Sequence, residues 1–403
     1  MLVLGKFGTE VSVGEVAQLG LKLGSTIREP FAVGMDARAG SAPLHMAVIA
    51  GLTASGCNVA NLGYVPAPVI ARVAREEGMW GVHISADPYP PEYVGMSIYN
   101  PGGRAWEGKL AEALNGAGVG RVANVDLVPD YMVQVLARHE LEKFEVVVDC
   151  ANGPCGNIVP AILRAAGSRV FEINSAMSPF PSRPYYPVRS SITDLMYMTL
   201  RKRADIGMGF DGSGKRAVFT DGRVLVSSSK AMGIIMKERG YRRAVADIGA
   251  SFVLDYIGSV ERVPASEVKV GEALETRGYV IGGGTMGVIF SEWSFAPDAI
   301  YLALELLQVM SDTGENLRSL VDKLPESYED AEMVKADVRR TLETARKELS
   351  DYDVDLRDGV KALMDEGWLW IKPMRDFVLV AAEAETERGL KKFMEMGRKF
   401  VKK

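Results

Sequence analysis

Five short segments in the first quarter of the chain alternate between two hydrophobic patterns. Segments 31–35, 57–62 and 79–84 are short apolar runs typical of buried strands, whereas 42–55 and 67–77 have the length of helices. Strands that alternate with helices form parallel sheets, because each helix carries the chain back across the sheet before the next strand begins. The alternation therefore predicts an α/β unit with its helices packed on the sheet.

A serine follows the last of these strands. Ser85 is followed by Ala-Asp-Pro, and the residues next to a proline are restricted to extended geometry, so Ser85 is expected on a loop at the strand's carboxyl end. Open α/β sheets bind ligands at that edge. Ser85 is either a nucleophile that carries a phosphoryl group or part of a turn that closes the strand. His83 points to the same side of the strand, as a candidate base or as a buried histidine satisfied by the backbone.

Two further alternations and a different C-terminal segment follow. A strand at 144–150 enters an Ala-Asn-Gly-Pro turn and a helix, and a strand at 279–281 enters a run of glycines. The remainder, from about residue 326, has the pattern of a small α+β domain. We predict three similar α/β domains with mixed or parallel sheets and one α+β domain, with these boundaries: 1–128, 129–236, 237–325 and 326–403.

Composition limits the class of protein. Of the 403 residues 47% are apolar, which is enough for packed cores, and the net charge of −5 favours neither a nucleic-acid nor a membrane partner. Residues 39–71 lack Asp, Glu, Lys and Arg, but prolines, glycines and asparagines divide them, so no membrane span is expected. The three cysteines form neither a disulfide framework nor a metal-binding spacing, which indicates the cytoplasm.

Several motifs resemble those of one family in order and spacing. Residues 83–88, HISADP, resemble the TASHNP loop that carries the phosphoserine of the α-D-phosphohexomutases, the phosphomannomutase and phosphoglucomutase family. Residues 34–38, GMDAR, resemble its GRDTR, and 211–216, DGSGKR, resemble its metal loop DGDADR. The resemblance runs from about residue 7 to 325 and more faintly to the end. It implies four domains around one cleft and an isomerase that moves a phosphoryl group between two ends of a hexose phosphate.

The metal loop departs from the family pattern. In the family three carboxylates and the phosphoserine hold Mg²⁺, whereas here Asp211 is the only acid that stays in the loop. Lys215 replaces another of the acids, and a charged lysine repels Mg²⁺. We therefore predict that the chain has no Mg²⁺ cofactor. Asp211 remains as the one candidate metal ligand, a remnant of the family's site. Lys215 and Arg216 are instead candidates to hold a phosphate by charge-assisted hydrogen bonds.

The loops for the sugar and the distal phosphate are altered as well. The sequence GGTMGV stands where the family has Gly-Glu-x-Ser-Gly-His, so Gly283, Gly284 and Thr285 are expected to contribute mainly backbone contacts. The sequence KPMRD is the best counterpart of the family's Arg-Pro-Ser-Gly-Thr-Glu-Pro. Its cations, Lys372 and Arg375, either hold the distal phosphate or are surface charges beside an edge strand.

Two functional hypotheses follow from these changes. The first is a divergent family member that binds a sugar phosphate or phosphate but has lost Mg-dependent mutase activity, as a homo-oligomer or as the partner of an active relative. The second is an active mutase, similar to phosphomannomutase and phosphoglucomutase, in which Ser85 carries the phosphoryl group and Lys215 and Arg216 replace the metal. The metal, sugar and phosphate loops are all changed together, which favours the first hypothesis. The sequence leaves open whether the chain is an enzyme.

Overall fold

The computed structural model of the chain describes residues 3–112 and 118–402, so small parts of the predicted first and last domains lie outside it. The described chain folds into four sheets of six, five, four and five strands. The first three sheets mix parallel and antiparallel strands, and the fourth is antiparallel with helices on it. The prediction of three α/β domains and a C-terminal α+β domain is confirmed.

The first domain contains the predicted alternation. Its elements are β1 (Val3–Lys6), α1 (Val13–Ile27), β2 (Phe31–Met35), α2 (Ser41–Ala54), β3 (Val59–Tyr64), α3 (Ala67–Glu77), β4 (Trp80–Ile84), β5 (Tyr93–Tyr99) and β6 (Val122–Asn124). The sheet order is β1-β5-β4-β2-β3-β6. β2 runs parallel to both β3 and β4, because α2 and α3 return the chain to the same end of the sheet. β5 turns back antiparallel to β4, which the alternation did not predict.

The second domain repeats this plan. Its elements are α4 (Val128–Leu136), β7 (Glu145–Asp149), α5 (Cys155–Ala165), β8 (Arg169–Ile173), α6 (Thr193–Lys202), β9 (Ile206–Phe210), β10 (Ala217–Thr220) and β11 (Leu225–Val226). β7 lies between the parallel strands β8 and β9, and β10 turns back antiparallel to β9.

The third domain follows the same rule with fewer strands. Its elements are α7 (Ser228–Arg239), β12 (Arg243–Asp247), α8 (Val253–Ile257), β13 (Ser259–Val263), α9 (Glu267–Arg277), β14 (Ile281–Gly284), β15 (Gly287–Phe290), α10 (Ala299–Thr313) and α11 (Leu317–Asp322). β12 pairs in parallel with β13 and β14, and β15 turns back on β14.

The fourth domain is an antiparallel sheet with two helices. Its elements are β16 (Tyr328–Lys335), α12 (Val338–Glu348), β17 (Asp353–Asp355), β18 (Val360–Met364), β19 (Gly367–Pro373), β20 (Phe377–Ala384) and α13 (Glu387–Lys402). It has a core of its own, built from residues such as Val380 and Phe393. The other three domains meet in one continuous core through α3, α5, α7 and α10, and the first domain has a second core of its own. Smaller apolar clusters join the fourth domain to the third and to the first.

Each domain carries one of the candidate loops in the same structural place. The loops join β4 to β5, β9 to β10, β14 to β15 and β19 to β20, which are antiparallel neighbours in every case. The first holds Ser85, the second Lys215, the third Thr285 and the fourth Arg375. Four equivalent hairpin loops thus explain why motifs spread over nearly 300 residues can serve one site.

The apolar segments of the chain stay within globular domains. Among residues 3–112 and 118–402, no helix combines the length and the hydrophobicity that crossing a membrane requires.

Candidate active site

Ser85 lies on the loop after β4, as its sequence context predicts. Its backbone N–H donates to the carbonyl of Gly95 at 3.0 Å, and its Oγ accepts from the backbone N–H of Asp87 at 3.3 Å. The residue is only 3% exposed. The loop is therefore tied to β5 by its backbone, and the hydroxyl is held in a place that excludes most solvent.

Arg38, at the carboxyl end of β2, shapes the rest of this loop. It is 1% exposed and its Nε donates to Asp36 at 2.9 Å. Its Nη1 donates to the carbonyls of Tyr89, Pro90 and Tyr93 at 2.9, 2.6 and 3.2 Å. The sequence analysis did not select Arg38 as a site residue, although the GMDAR motif that contains it was a usable signal.

The loops of the first and second domains meet at two carboxylates and one guanidinium. Nη1 of Arg216 lies 3.0 Å from Asp87 Oδ2 and 3.0 Å from Asp211 Oδ2. The backbone N–H of Gly212 donates to Asp87 Oδ1 at 3.2 Å. The structure thus brings together Ser85, Asp211 and Arg216, and it adds Asp87 to them.

Burial and close charges perturb both acids. Burial, and after it the nearby carboxylate of Asp211, raises the pKa of Asp87 well above its usual value. Burial also acts on Asp211, but Arg216 and several hydrogen bonds outweigh it and lower the pKa of that carboxyl. A single guanidinium therefore serves two acids, of which Asp211 is the better stabilised as the anion.

The amine of Lys215 pairs with a different acid. Its Nζ lies 2.6 Å from Oε1 of Glu267, at the start of α9, and both side chains are about nine-tenths buried. Burial works against the charged amine, but the carboxylate of Glu267 outweighs it and raises the pKa of Lys215. The ammonium that was expected beside Ser85 is thus held by the third domain. No local sequence pattern had marked Glu267.

His83 is fully buried within β4. Its Nε2 lies 2.9 Å from the carbonyl oxygen of Val65, and burial lowers the pKa of the imidazole to about 4. The side chain is therefore neutral near pH 7. This environment matches the backbone-satisfied alternative more closely than the base.

The glycine-rich end of β14 and the turn that joins it to β15 make close backbone contacts. Gly283 and Gly284 have φ of +144° and +139°, and a Cβ on Gly283 would lie 2.1 Å from the carbonyl oxygen of Gly287. Thr285 donates from its hydroxyl to Asp247 at 2.9 Å and accepts from Arg216 Nε at its carbonyl oxygen, at 2.8 Å. This turn therefore contacts Arg216 through the backbone of Thr285.

The two cations proposed for the distal phosphate face different domains. Lys372 Nζ lies 3.3 Å from Asp358 and 3.0 Å from the carbonyl of Ala265, in the third domain. Arg375 contacts the first domain, with Nη2 3.3 Å from Glu10 and Nη1 2.6 Å from the carbonyl of Leu4. In this arrangement the two side chains do not converge on one anion, because each already has a partner.

Buried polar atoms without hydrogen-bond partners surround the Ser85 loop. Among the described residues they include Nη2 of Arg38, Nδ1 of His83 and the hydroxyls of Tyr99 and Tyr185. The ring of Tyr185 stacks on the Arg38 guanidinium at 4.2 Å, and Nη2 lies 3.9 Å from Asp87. Buried groups of this kind are rare, and their concentration here indicates a site that meets a polar ligand.

This arrangement is that of a known class. Three α/β domains and a fourth α+β domain, each contributing one hairpin loop to a common site, are the architecture of the α-D-phosphohexomutases. Residues 3–117, 126–224 and 223–328 match the models for phosphoglucomutase/phosphomannomutase alpha/beta/alpha domains I, II and III. The chain therefore belongs to the phosphoglucomutase/phosphomannomutase family.

Named relatives and solved structures agree with this assignment. A phosphoglucosamine mutase of Methanococcus maripaludis is 28% identical over 426 residues, covering 94% of this chain and 94% of the relative. A family protein of Burkholderia thailandensis superposes with a TM-score of 0.79 at 19% identity, covering 99% of this chain and 95% of that one. An N-acetylphosphoglucosamine mutase of Aspergillus fumigatus, solved with GlcNAc-6P and magnesium, gives 0.52 at 13% identity, covering 92% and 82%.

The comparisons contradict the prediction that mutase activity is lost. Four archaeal relatives that each cover at least 94% of this chain carry the names of mutases. The prediction was wrong because it counted acids within one loop at a time. Asp87 brings a carboxylate to the altered metal loop from a hairpin 125 residues earlier, as its contact with the Gly212 N–H shows.

The prediction of no cofactor is wrong as well. A structural neighbour, the N-acetylphosphoglucosamine mutase, was solved with magnesium. The argument from Lys215 fails because that ammonium is paired with Glu267. Among the described residues no three His, Cys, Asp or Glu side chains form a metal cluster. Mg²⁺ nevertheless binds through one or two carboxylates plus phosphate and water. Asp87 and Asp211, which already hold the guanidinium of Arg216 between them, fit that donor set.

Proposed function

We propose that this chain is an active sugar-phosphate mutase in which Ser85 carries the phosphoryl group. The observation that supports it most directly is the meeting of the Ser85 loop with Asp87, Asp211 and Arg216 in a buried, polar place. Phosphoryl transfer depends mainly on positioning and on balancing the phosphoryl charge. These residues supply both.

Glucosamine phosphate is the first substrate to consider. Relatives that span nearly the whole chain carry the name phosphoglucosamine mutase, and structural neighbours contain GlcNAc-6P or glucose 1,6-bisphosphate. Hexose phosphates are the alternative, since another relative, from Thermococcus kodakarensis, is named phosphoglucomutase/phosphomannomutase. The three free cysteines are buried, which suits a reducing compartment, and we propose that the enzyme works in the cytoplasm. A homo-oligomer or a paralogous partner stays a prediction.

Each residue would have a distinct part in the reaction. Arg38 holds the loop in shape through three carbonyl groups, so that the Ser85 hydroxyl is presented in one orientation. Arg216 supplies a fixed positive charge next to the phosphoryl group. Asp87 and Asp211 would hold Mg²⁺, which supplies further charge neutralisation when bound.

Labelling of Ser85 tests the proposal. The purified protein is incubated with glucose 1,6-bisphosphate carrying labelled phosphate, and interconversion of glucosamine 6-phosphate and glucosamine 1-phosphate is followed by phosphorus NMR. We expect label on the wild type and on Ser350→Ala, an exposed serine of the fourth domain, and none on Ser85→Ala. Absence of both label and turnover with glucosamine, glucose and mannose phosphates would refute the proposed function.

A further inference from the structure

A cavity of about 210 Å³ lies between the first three domains, next to the Ser85 loop. Asp87 lines it from the first domain, Lys215 and Arg216 from the second, and Ser266 and Glu267 from the third. A cavity walled by the residue two positions after Ser85 is a natural place for the sugar hydroxyl that reacts with the phosphoryl group.

Glu267 is fixed relative to the Ser85 loop by a chain of short contacts. Its Oε1 lies 2.6 Å from Lys215 Nζ, and the backbone N–H of Lys215 donates to Asp211 Oδ1 at 2.9 Å. A Cβ on Gly287 would lie 2.1 Å from the carbonyl oxygen of Lys215, so the third domain is packed directly on the loop that carries Lys215. A carboxylate placed in this way needs little reorganisation before it acts.

The reaction needs a proton acceptor, and three other residues near the Ser85 loop are poorly suited to that role. Ser97 lines the cavity, but a neutral serine hydroxyl is a poor base. His83 is fully buried and does not line this cavity, and Asp87 accepts hydrogen bonds at both oxygens, from Gly212 and Arg216. Glu267 offers a carboxylate at the cavity wall, held by Lys215. A carboxylate is the group that protein kinases use to accept the proton of the attacking hydroxyl.

We infer that Glu267 is the residue that accepts the proton of the reacting sugar hydroxyl, with Lys215 as its positioning partner. The inference rests on the proposed function. In the step, a lone pair of the sugar oxygen forms the new P–O bond, and the bond from phosphorus to Ser85 Oγ breaks with its electron pair left on Oγ. One proton passes overall from the sugar hydroxyl to Oγ, and Glu267 holds it in between. The opposite half-reaction moves the proton back.

The test separates transfer from binding. Phosphorylated enzyme is prepared from labelled glucose 1,6-bisphosphate, mixed with glucosamine 6-phosphate and quenched rapidly, while affinity for the sugar phosphate is measured by calorimetry. We expect Glu267→Gln to slow transfer about 100-fold, the usual size of a general-base effect, with affinity changed less than about threefold. Glu272→Gln is the matched control, because Glu272 lies on the same helix without lining the cavity, and it pairs with Lys269 at 3.1 Å and with Arg104 at 3.3 Å. It should transfer at the wild-type rate.

A second background distinguishes a base from a residue that only orients Lys215. In Lys215→Met the ion pair is already broken, and Glu267→Gln should still slow transfer at least about tenfold in that background if the carboxylate itself takes the proton. An unchanged rate in either background would overturn the inference, as would parallel loss of transfer and binding. If Ser85 is labelled but the wild type and Glu267→Gln transfer the phosphoryl group at the same rate, only the role of Glu267 is refuted and the proposed function stands. A wild type that is never labelled refutes the proposed function, and this inference with it.

Discussion

At the scale of single residues, Asp87 changes the meaning of the altered metal loop. Considered within its own loop, it is an acid that would repel a phosphoserine. In the structure its charge is shared with Arg216, and it lies beside Asp211, where a further carboxylate is needed. An acid absent from one hairpin is thus supplied by another, because the two hairpins meet only after the domains pack.

Asp87→Asn should weaken magnesium binding. The substitution restores the family's asparagine and removes one of the two carboxylates that would hold the ion. We expect the affinity for Mg²⁺, measured by calorimetry on the phosphorylated protein, to fall at least about tenfold, or about 1.4 kcal/mol. Asp130→Asn, on the exposed side of α4, is the control and should bind as the wild type does. Equal affinity in Asp87→Asn would show that the ion does not use this carboxylate.

At the scale of elements, the hairpin loop of the fourth domain closes on the first. The hydroxyl of Tyr93, in β5, donates to Asp376 at 2.6 Å, and the backbone N–H of Arg375 donates to the Tyr89 hydroxyl at 3.0 Å. The rings of Tyr89 and Tyr93 pack against Phe377 with centroids 6.1 and 5.8 Å away. These contacts join the Ser85 loop and β5 to the fourth domain, so they hold that domain closed on the first.

Tyr93→Phe should loosen this closure without changing the ring packing. It removes a hydrogen bond to a charged carboxylate, which contributes about 1.5–3 kcal/mol. We expect faster hydrogen–deuterium exchange in residues 372–380, with the exchange of β2 and β4 unchanged. The control is Tyr352→Phe, which changes an exposed tyrosine of the fourth domain. Identical exchange in residues 372–380 for Tyr93→Phe and the wild type would count against a closure held by Asp376.

At the scale of the whole molecule, the interface of the third and fourth domains buries an amine. Lys361 is 7% exposed, donates to the carbonyl of Ile248 and lies 4.4 Å from the ring centroid of Trp368. Burial lowers the pKa of Lys361 to about 8, from 10.5 for an ordinary lysine. Between those two values the unfolded chain binds more protons than the folded one, so stability rises with pH there.

Lys361→Met should remove this pH dependence. Below about pH 8 the wild type bears the full cost of the buried charge, and above about pH 10.5 it bears none. We expect the difference in free energy of unfolding between the variant and the wild type, measured in urea, to shrink by roughly 3 kcal/mol from pH 7.5 to pH 10.5. Comparing the two proteins cancels the titration of tyrosines and cysteines. A constant difference would show that the amine is solvated.

The sequence by itself determined the elements and the places of the candidate loops. The predicted segments 31–35 and 67–77 are β2 and α3 residue for residue, and the glycines at 283 and 284 do adopt backbone angles that other residues avoid. These features are local, since hydrophobic period and glycine geometry depend on neighbours along the chain.

Only the tertiary structure decided which charges meet. Arg216 pairs with Asp87 across 129 positions, Lys215 turns to Glu267 instead of to Ser85, and Lys372 and Arg375 contact different domains. A residue's type states that it needs a partner but does not name the partner. That choice is made when four separately encoded hairpins pack together, because the free energy of a buried charge depends on the groups that surround it in space and not on those beside it in sequence.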